Sequence, residues 1–350
     1  MSITNAHEFF IQWHLTERCN LRCTHCYQTG VRNEELSLEE IRAVLDEVGD
    51  TLRAWSEAYD ISFAPSFNIT GGEPMLRQDI FEIIEAIGRR GFDTYLLSNG
   101  TLITRETATA LAGLGVKGVQ VSMEGAEEIH ESIRGKGSFA SSVKGIRNLL
   151  DAGLNVTVNA TLSEINAGDF MRLVELSVSL GVQRLGFSRL VPSGRGLGLL
   201  DKMIGSEKIR ETYEKILSLR PQGLEIVTGD PVASQMNCRS ADGAVPTGGC
   251  AAGISGLTFL PDGTIVPCRR LFVPIGNVRE DRIREVWAKS PVLEALRDRG
   301  RYKGKCGKCR RWAGCRGCRA IAYAYSLAKG EDDFLAEDPQ CFIGDETWPT

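Results

Sequence analysis

Short apolar segments alternate with longer amphipathic segments over the first half of the chain. The short segments predict six β-strands, near residues 9–15, 67–70, 95–98, 119–122, 156–161 and 184–187. The segments between them place apolar residues on one helical face, which is typical of repeated βα units and a parallel sheet. Six units are too few for a closed eight-stranded barrel. We therefore predict an α/β fold, a partial, TIM-like (βα)6 barrel with its working residues at the carboxyl ends of the strands.

Several helix starts are marked by capping residues. Ser37 with Glu40 forms a capping box before the first helix. Asp79, Thr104 and Asp169 precede later apolar-periodic segments and are predicted to cap them. These signals indicate that the barrel helices begin at defined residues.

The composition changes beyond the barrel. A glycine-rich segment, 192–198, ends the alternating pattern, and eight of the eleven cysteines lie between residues 238 and 341. We therefore predict a barrel over residues 1–195, a partly helical connector over 196–237, and a cysteine-rich domain over 238–350.

Charge and composition exclude several classes of protein. The chain has 350 residues, 42% of them apolar, and a net charge of −4, so no general affinity for nucleic acid or for membranes is expected. There is no secretory signal and no long apolar segment, which predicts a cytoplasmic protein. An odd number of cysteines in such a chain favours bound metal over a disulfide scaffold.

Three of the cysteines follow the first strand closely. Cys19, Cys23 and Cys26 form a C-x3-C-x2-C segment. Three thiolates on one loop can hold three irons of a [4Fe–4S] cluster and leave the fourth iron open. A zinc or disulfide site is the alternative, but His25 lies between the cysteines rather than beyond them, where a zinc site usually has its fourth ligand.

The segment around these cysteines, LTERCNLRCTHC from Leu15 to Cys26, resembles the signature of the radical S-adenosylmethionine (SAM) enzymes. Gly71-Gly72-Glu73-Pro74 follows the second strand and resembles their methionine-binding motif. Glycine lets a backbone approach a ligand closely, and a glutamate can accept from an ammonium group. The resemblance implies a [4Fe–4S] cluster whose open iron binds SAM. It also implies reductive cleavage of SAM to a 5′-deoxyadenosyl radical, which removes hydrogen from a substrate.

The same resemblance suggests contacts for SAM. It implies that Ser122 contacts the nucleoside, that Arg134 pairs with the SAM carboxylate, and that His25 and Leu190 lie near the adenine. The full set of candidates is His25, Gly71, Gly72, Glu73, Asn99, Ser122, Arg134 and Leu190. The alternative for each polar candidate is an ordinary loop group or strand cap. No residue is assigned as a general acid or base.

The second cysteine field resembles the SPASM extension of radical SAM enzymes, which usually carries two auxiliary iron–sulfur clusters. The order is Cys250, Gly263-x4-Cys268, Cys306-x2-Cys309-x5-Cys315-x2-Cys318 and Cys341. The resemblance implies that Cys306, Cys309, Cys315 and Cys341 hold one cluster, and that Cys250, Cys268 and Cys318 hold the other. The second set is one ligand short, so either an iron stays open or Cys238 completes it. Zinc is the alternative here as well.

The carboxyl-terminal segments 315–320 and 338–341 resemble a branch that includes the peptide maturases of pyrroloquinoline quinone and mycofactocin. The same branch includes the enzymes of heme d1 and alternative heme synthesis. Our leading hypothesis is a maturase that cross-links or oxidises a ribosomally made peptide. The second is modification of a tetrapyrrole side chain, and a third is a non-catalytic iron–sulfur electron carrier. A sulfatase maturase is disfavoured because Arg269 stands where that group has an aspartate, and a guanidinium is a poor base.

These hypotheses imply partners. The substrate is a precursor peptide or a tetrapyrrole, and a low-potential donor such as a ferredoxin or flavodoxin supplies the electron. If the substrate is a peptide, we expect a separate leader-binding protein, because the barrel begins by residue 9.

Overall fold

One ten-stranded sheet runs through the described part of the chain. The computed structural model describes residues 7–28, 34–237 and 248–343, so Cys238 lies outside the described residues. The strands are β1 (His7–His14), β2 (Phe63–Thr70), β3 (Asp93–Ser98), β4 (Gly118–Ser122), β5 (Val156–Leu162), β6 (Arg184–Arg189), β7 (Glu225–Val227), β8 (Gly256–Phe259), β9 (Thr264–Val266) and β10 (Gly276–Asn277). Their order in the sheet is β10-β9-β8-β1-β2-β3-β4-β5-β6-β7.

Strands β1 to β6 are parallel and adjacent in chain order, which confirms the predicted partial barrel. The helices are α1 (Leu38–Tyr59), α2 (Ile80–Gly88), α3 (Arg105–Gly113), α4 (Glu127–Arg134), α5 (Ser138–Asp151), α6 (Phe170–Leu180), α7 (Ser206–Ser218), α8 (Ser234–Asn237), α9 (Ile283–Lys289), α10 (Pro291–Arg297), α11 (Gly304–Lys308) and α12 (Arg319–Ala328). Helices α1 to α6 connect successive barrel strands, as expected of right-handed βα units. In the described residues, no helix is long and apolar enough to cross a membrane.

Helix α1 begins where its sequence predicts. The Ser37 side chain accepts from the Glu40 backbone, and the Glu40 side chain accepts from the Ser37 N–H. Its apolar side, which includes Ile41, Leu45 and Val48, is buried against the sheet. The capping box and the apolar period therefore act together to place this helix.

The predicted caps Asp79 and Asp169 are found in other roles. Both occupy N-cap positions, but neither side chain makes a capping hydrogen bond. Asp79 accepts from the buried Arg77 guanidinium at 2.7 Å, and Asp169 accepts from the Ala126 N–H at 2.7 Å. Asp79 is thus engaged by a charged donor, which is stronger than a backbone N–H, and Asp169 by a backbone N–H from another segment.

The sheet crosses the predicted domain divisions. Strand β7, in the predicted connector, pairs with β6, and β8, in the cysteine-rich region, pairs in parallel with β1. At this second junction, a Cβ on Gly256 would lie 2.1 Å from the carbonyl oxygen of Phe10, so only glycine fits. The division into three parts stays a prediction, and the hydrogen-bonded sheet is continuous through all three.

A buried ionic network ties the end of β6 to the carboxyl-terminal region. Arg189 is fully buried and donates to Asp230 at 2.8 Å and to Asp338 at 2.8 Å. Asp338 also accepts from the Cys318 N–H at 2.8 Å, and Gln340 accepts from Arg189 at 3.1 Å. The barrel and the segment around the last cysteines are thus held by paired, hydrogen-bonded charges.

Candidate active site and iron–sulfur sites

The loop that carries Cys19, Cys23 and Cys26 lies at the carboxyl end of β1 and is fastened at three points. The Glu73 N–H donates to the Arg18 carbonyl, the Thr24 N–H to the Ile133 carbonyl, and the Gly196 N–H to the Cys26 carbonyl. Three separate segments of the fold therefore fix the positions of the three thiols.

Gly72 allows this loop to pack closely against the end of β2. A Cβ on Gly72 would lie 2.2 Å from the Arg18 carbonyl oxygen and 2.9 Å from the Cys19 Cβ. Any side chain would push the cysteine loop outward. What the structure shows for Gly72 is close packing against the cysteine loop, and the predicted approach of the glycines to a ligand stays a prediction.

A cavity of about 130 Å³, which we call the inner cavity, opens above the ends of the barrel strands. Its wall includes Cys19, Cys23, His25, Cys26, Gly71, Gly72, Ser98, Asn99, Ser122, Arg134, Asn159, Thr161 and Ser188. These side chains come together because the carboxyl ends of neighbouring strands are aligned in the sheet. Ser98 lies beside Val121, and Ser122 lies beside Asn159. Six of the eight candidate SAM contacts lie in this wall, together with the three cysteines.

The remaining two candidates lie elsewhere. Leu190 is buried next to the cavity, and the wall is formed there by Ser188 and Val191. Glu73 is fully buried, and its carboxylate accepts from the Ser98 hydroxyl at 2.9 Å and from the Asn99 N–H at 2.8 Å. Burial raises the pKa of Glu73, while these donors oppose the rise. In this conformation Glu73 holds the loop after β3 in place through these two hydrogen bonds. Its contact with an ammonium group stays a prediction.

Glu124 organises one side of the cavity wall. Its buried carboxylate accepts from Arg134 at 2.9 Å, lies 3.0 Å from His25 Nε2, and accepts from the Thr161 N–H at 2.9 Å. Burial alone would raise the pKa of Glu124, but Arg134 and His25 outweigh burial and hold that pKa well below its usual range. The Glu124 carboxylate thus orients the His25 ring. The contact of His25 with adenine stays a prediction.

The sulfurs of Cys19 and Cys23 each lie near an N–H donor of the kind found around thiolate-bound clusters. The Leu21 N–H donates to Cys19 Sγ at 3.4 Å, and Arg134 Nη1 lies 3.8 Å from Cys23 Sγ. Burial raises the pKa of the Cys23 thiol, while Arg134 opposes the rise. A cysteine-only donor set with N–H groups directed at its sulfurs fits an iron–sulfur cluster. Within the described ranges, no group of three or more ligating side chains is arranged for a single metal ion.

The cysteines of the second field lie near one another in two groups. Cys306, Cys309, Cys315 and Cys341 line one small cavity. The side chains of Cys250 and Cys318 are close enough to interact electrostatically, and Arg270 interacts with both Cys268 and Cys318. This placement agrees with one cluster on four cysteines and another on three, although the ligand assignments stay predictions.

Buried arginines accompany these auxiliary cysteines. Arg319 is fully buried, and its Nη2 lies 3.6 Å from Cys306 Sγ. Arg316, also buried, donates to the Cys250 carbonyl at 2.7 Å and to the Ala313 carbonyl at 2.6 Å. Guanidinium groups in these positions can offset the negative charge of thiolate-bound clusters.

Sequence reasoning missed several residues of the wall. Tyr27, Gln28 and Arg195 lie in it, as do Arg269 and Arg270, neither of which the sequence suggested as a wall residue. The signal for Tyr27 and Gln28 was their position directly after Cys26. Arg195 lies in the glycine-rich exit, and its Nε donates to the Cys23 carbonyl at 3.0 Å.

The profile of the radical SAM superfamily matches residues 13–177, and that of the SPASM iron–sulfur cluster-binding domain matches residues 250–318. The chain is 33% identical to an AdoMet-dependent heme synthase from Methanosarcina barkeri, over 97% of this chain and 98% of that protein. It is therefore a member of the radical SAM superfamily with a SPASM domain, and it is an enzyme. Its cofactors are SAM and iron–sulfur clusters.

Two further comparisons describe its relatives. The mycofactocin maturase MftC of Mycolicibacterium smegmatis is 28% identical over 95% of this chain and 82% of that protein. The fold is shared with SuiB of Streptococcus suis in a crystal structure with the precursor peptide SuiA, with a TM-score of 0.75 and 17% identity. That match covers 97% of this chain and 76% of the other, and it supports the fold alone.

Proposed function

We propose that this enzyme modifies a side chain of an iron tetrapyrrole in the formation of heme. The observation that carries the proposal is the similarity to heme synthases over nearly the full length of both chains, at 33% identity. The maturase relative is less similar, at 28%, and this chain spans less of it. The proposal therefore reverses the order of the two leading hypotheses from the sequence.

The bound cofactors would supply reductive cleavage of SAM and a radical that takes hydrogen from the substrate. Cys19, Cys23 and Cys26 would hold the cluster of the inner cavity. Arg134 lies in the cavity wall and is held by Glu124, so its guanidinium is already oriented for a carboxylate such as that of SAM. Asn99 and Ser122 offer further polar contacts from neighbouring strand ends.

The cysteine-rich region completes the cavity. Arg269 and Arg270 from this region and Arg195 from the glycine-rich exit all contribute to its wall. Closure by residues from separate parts of the chain limits the access of water to a reactive intermediate. The cations Arg269 and Arg270 also suit a substrate with carboxylate side chains, which iron tetrapyrroles of heme synthesis carry.

An anaerobic turnover assay tests this function. The purified enzyme with its clusters is mixed with SAM, a low-potential reductant and Fe-coproporphyrin III. We expect 5′-deoxyadenosine to form in step with a tetrapyrrole that has lost carbon dioxide and hydrogen, detected by mass spectrometry. The Cys23→Ala variant serves as the inactive control. Deoxyadenosine that forms equally without tetrapyrrole, with no change in the mass of the tetrapyrrole, would contradict the proposal.

Maturation of a peptide is the second candidate, and the similarity to MftC favours it. In the same assay, stimulation by a short precursor peptide that loses two hydrogens would support it. This alternative adds a separate leader-binding protein as a partner. For either substrate, we propose a ferredoxin or flavodoxin as electron donor, tested by replacing the chemical reductant with the reduced protein.

A further inference from the structure

We propose that a carboxylate-bearing tetrapyrrole binds in a second cavity, the outer cleft, with its carboxylates paired to Arg269 and Arg270. This inference rests on the proposed function. The outer cleft measures about 410 Å³, and its wall includes Tyr27, Leu197, Arg269, Arg270, Phe272 and Leu327.

The outer cleft adjoins the inner cavity. The two cavities share four wall residues, Tyr27, Gln28, Arg269 and Arg270. A substrate in the outer cleft would therefore lie directly beside the cavity in which SAM is expected. This contiguity is what a hydrogen-abstracting enzyme needs, since the reacting atoms must come into contact.

The mouth of the outer cleft exposes apolar side chains from three parts of the chain. Phe272 is 61% exposed, Leu197 52% and Leu327 49%. These are three of the six large apolar side chains that are exposed in the described part of the protein. Apolar groups gathered around one cavity indicate a binding surface for an apolar ligand rather than scattered surface residues.

The charges of the outer cleft favour an anion. Neither guanidinium, of Arg269 or of Arg270, has a hydrogen-bond or ion-pair partner among the described residues. Arg269 lies over the ring of Tyr27, 5.6 Å from its centroid. Glu17 is the carboxylate in the wall, and its Oε1 lies 3.8 Å from His14 Nδ1. Two arginines and one carboxylate, which lies near a histidine, thus form the charged part of the wall, and Arg270 also interacts with the Asp230 carboxylate outside it.

Arg269 and Arg270 differ in what surrounds them. Arg270 interacts with Cys268 and Cys318, so part of its charge would be offset by a cluster on those thiolates. Arg269 has no such partner in the described residues and is available for a ligand. A flat apolar ring with carboxylates at its edge matches an apolar cleft that ends at two cations, because guanidinium binds carboxylate with paired hydrogen bonds.

Equilibrium binding without SAM or reductant tests the site separately from turnover. The cluster-loaded enzyme is titrated with Fe-coproporphyrin III and, separately, with its uncharged tetra-amide, and the shift of the tetrapyrrole absorption band gives Kd. We expect Arg269→Gln to raise Kd for the carboxylate form by about 10- to 100-fold, as for a lost charge-assisted hydrogen bond. The tetra-amide should bind weakly to both proteins and be insensitive to this substitution.

Two further variants complete the test. Phe272→Ala changes an exposed side chain and should weaken binding of both ligands several-fold, because it removes apolar contact with the ring. Arg301→Gln removes an exposed arginine away from the outer cleft and should leave both affinities unchanged. Iron content and SAM binding are measured for every variant to confirm that the protein is intact. If Arg269→Gln loses iron, Phe272→Ala decides the outcome.

The outcomes separate this inference from the proposed function. Unchanged affinity in both Arg269→Gln and Phe272→Ala, with tight binding to the unmodified enzyme, would place the substrate elsewhere and leave the function standing. An intact enzyme that binds SAM but neither tetrapyrrole would overturn the site and the function together. Selective loss of the carboxylate ligand in Arg269→Gln supports the site.

Discussion

Glu124 joins three parts of the inner cavity wall, because it contacts His25, Arg134 and the Thr161 N–H at once. Sequence patterns can find such residues at strand ends, but they do not show which partner each will take. The Glu124 carboxylate sets the orientations of both His25 and Arg134. It lies about a hundred residues from His25 along the chain and ten from Arg134. For this reason, the contacts of His25 and Arg134 with SAM could be suggested only by the family resemblance and not by the sequence pattern.

The first prediction concerns the charge of Glu124. Glu124→Gln keeps the shape but leaves the Arg134 guanidinium, which is 10% exposed, without its counter-ion. We expect a loss of about 3 kcal/mol in the free energy of unfolding, as for a broken buried ion pair, and weaker SAM binding. Urea unfolding and equilibrium dialysis measure the two effects. Glu128→Gln is the control, since its pair with Arg172 is exposed and should contribute under about 1 kcal/mol.

The second prediction concerns the dependence of stability on pH. Burial lowers the pKa of His130 to about 4, and its Nδ1 accepts from the Glu124 N–H at 3.4 Å. The unfolded chain takes up this proton near pH 6.5, whereas the folded chain does so only near pH 4. Stability should therefore fall as the pH drops through this window, with about 2 kcal/mol lost to His130 by pH 5.

His130→Asn removes the titrating group and keeps an acceptor near the position of Nδ1. The variant should be less stable throughout, because a smaller side chain leaves space in the core. Its unfolding free energy should nevertheless fall less steeply between pH 6.5 and 5 than that of the unmodified protein. Equal slopes for the two proteins, from urea unfolding at each pH, would show that His130 does not contribute this dependence.

At the scale of elements, packing between a helix and a loop determines where the cavity wall lies. Helix α5 crosses the loop after β3, and a Cβ on Gly145 would lie 2.1 Å from the Gly100 carbonyl oxygen. The same loop carries Asn99, which lines the inner cavity. Gly145 is therefore needed for the position of a candidate SAM contact as well as for the packing of the helix.

Gly145→Ala should destabilise the protein by about 1–3 kcal/mol through overpacking and weaken SAM binding as the loop moves. Gly113→Ala is the matched control, since Gly113 ends helix α3 and has open space around its Cβ position. That substitution should be neutral or stabilising by up to about 1 kcal/mol, because alanine favours helix more than glycine does. Similar losses in both variants would contradict the role of Gly145.

The elements themselves were largely predictable from the sequence. All six barrel strands and helix α1 follow from local period and capping signals, which act within one element. The roles of Asp79 and Asp169 were not predictable, because their partners Arg77 and Ala126 compete with the helix N-termini. Strand β7 and the pairing of β8 with β1 were missed as well, since nothing in a short strand shows which distant strand it will join.

At the scale of the whole molecule, the network around Arg189 links the barrel to both auxiliary cysteine sets. Asp338 receives bonds from Arg189 and from the Cys318 N–H, and it lies three residues before Cys341. Disturbing this network should therefore change cluster content as well as stability.

Arg189→Met leaves Asp230 and Asp338 buried without their cation. We expect a loss of about 3–5 kcal/mol in unfolding free energy, and a fall in bound iron after anaerobic reconstitution. Arg184→Met is the control on the same strand, because its pair with Glu225 is exposed and is worth at most about 1 kcal/mol. If the Arg189→Met protein is destabilised but binds its full content of iron, the network around Arg189 does not support the cluster sites.

The pairing of β1 with β8 has a consequence for the order of events during synthesis. Phe10 lies beside Gly256, so the partner of β1 leaves the ribosome roughly 250 residues later, or about 12 to 50 s at typical rates of translation. Until then β1 has one unpaired edge, directly before the loop with the first three cysteines. A nascent chain interrupted before residue 259 should therefore be prone to associate through that edge, and expression of the amino-terminal part alone should yield aggregates.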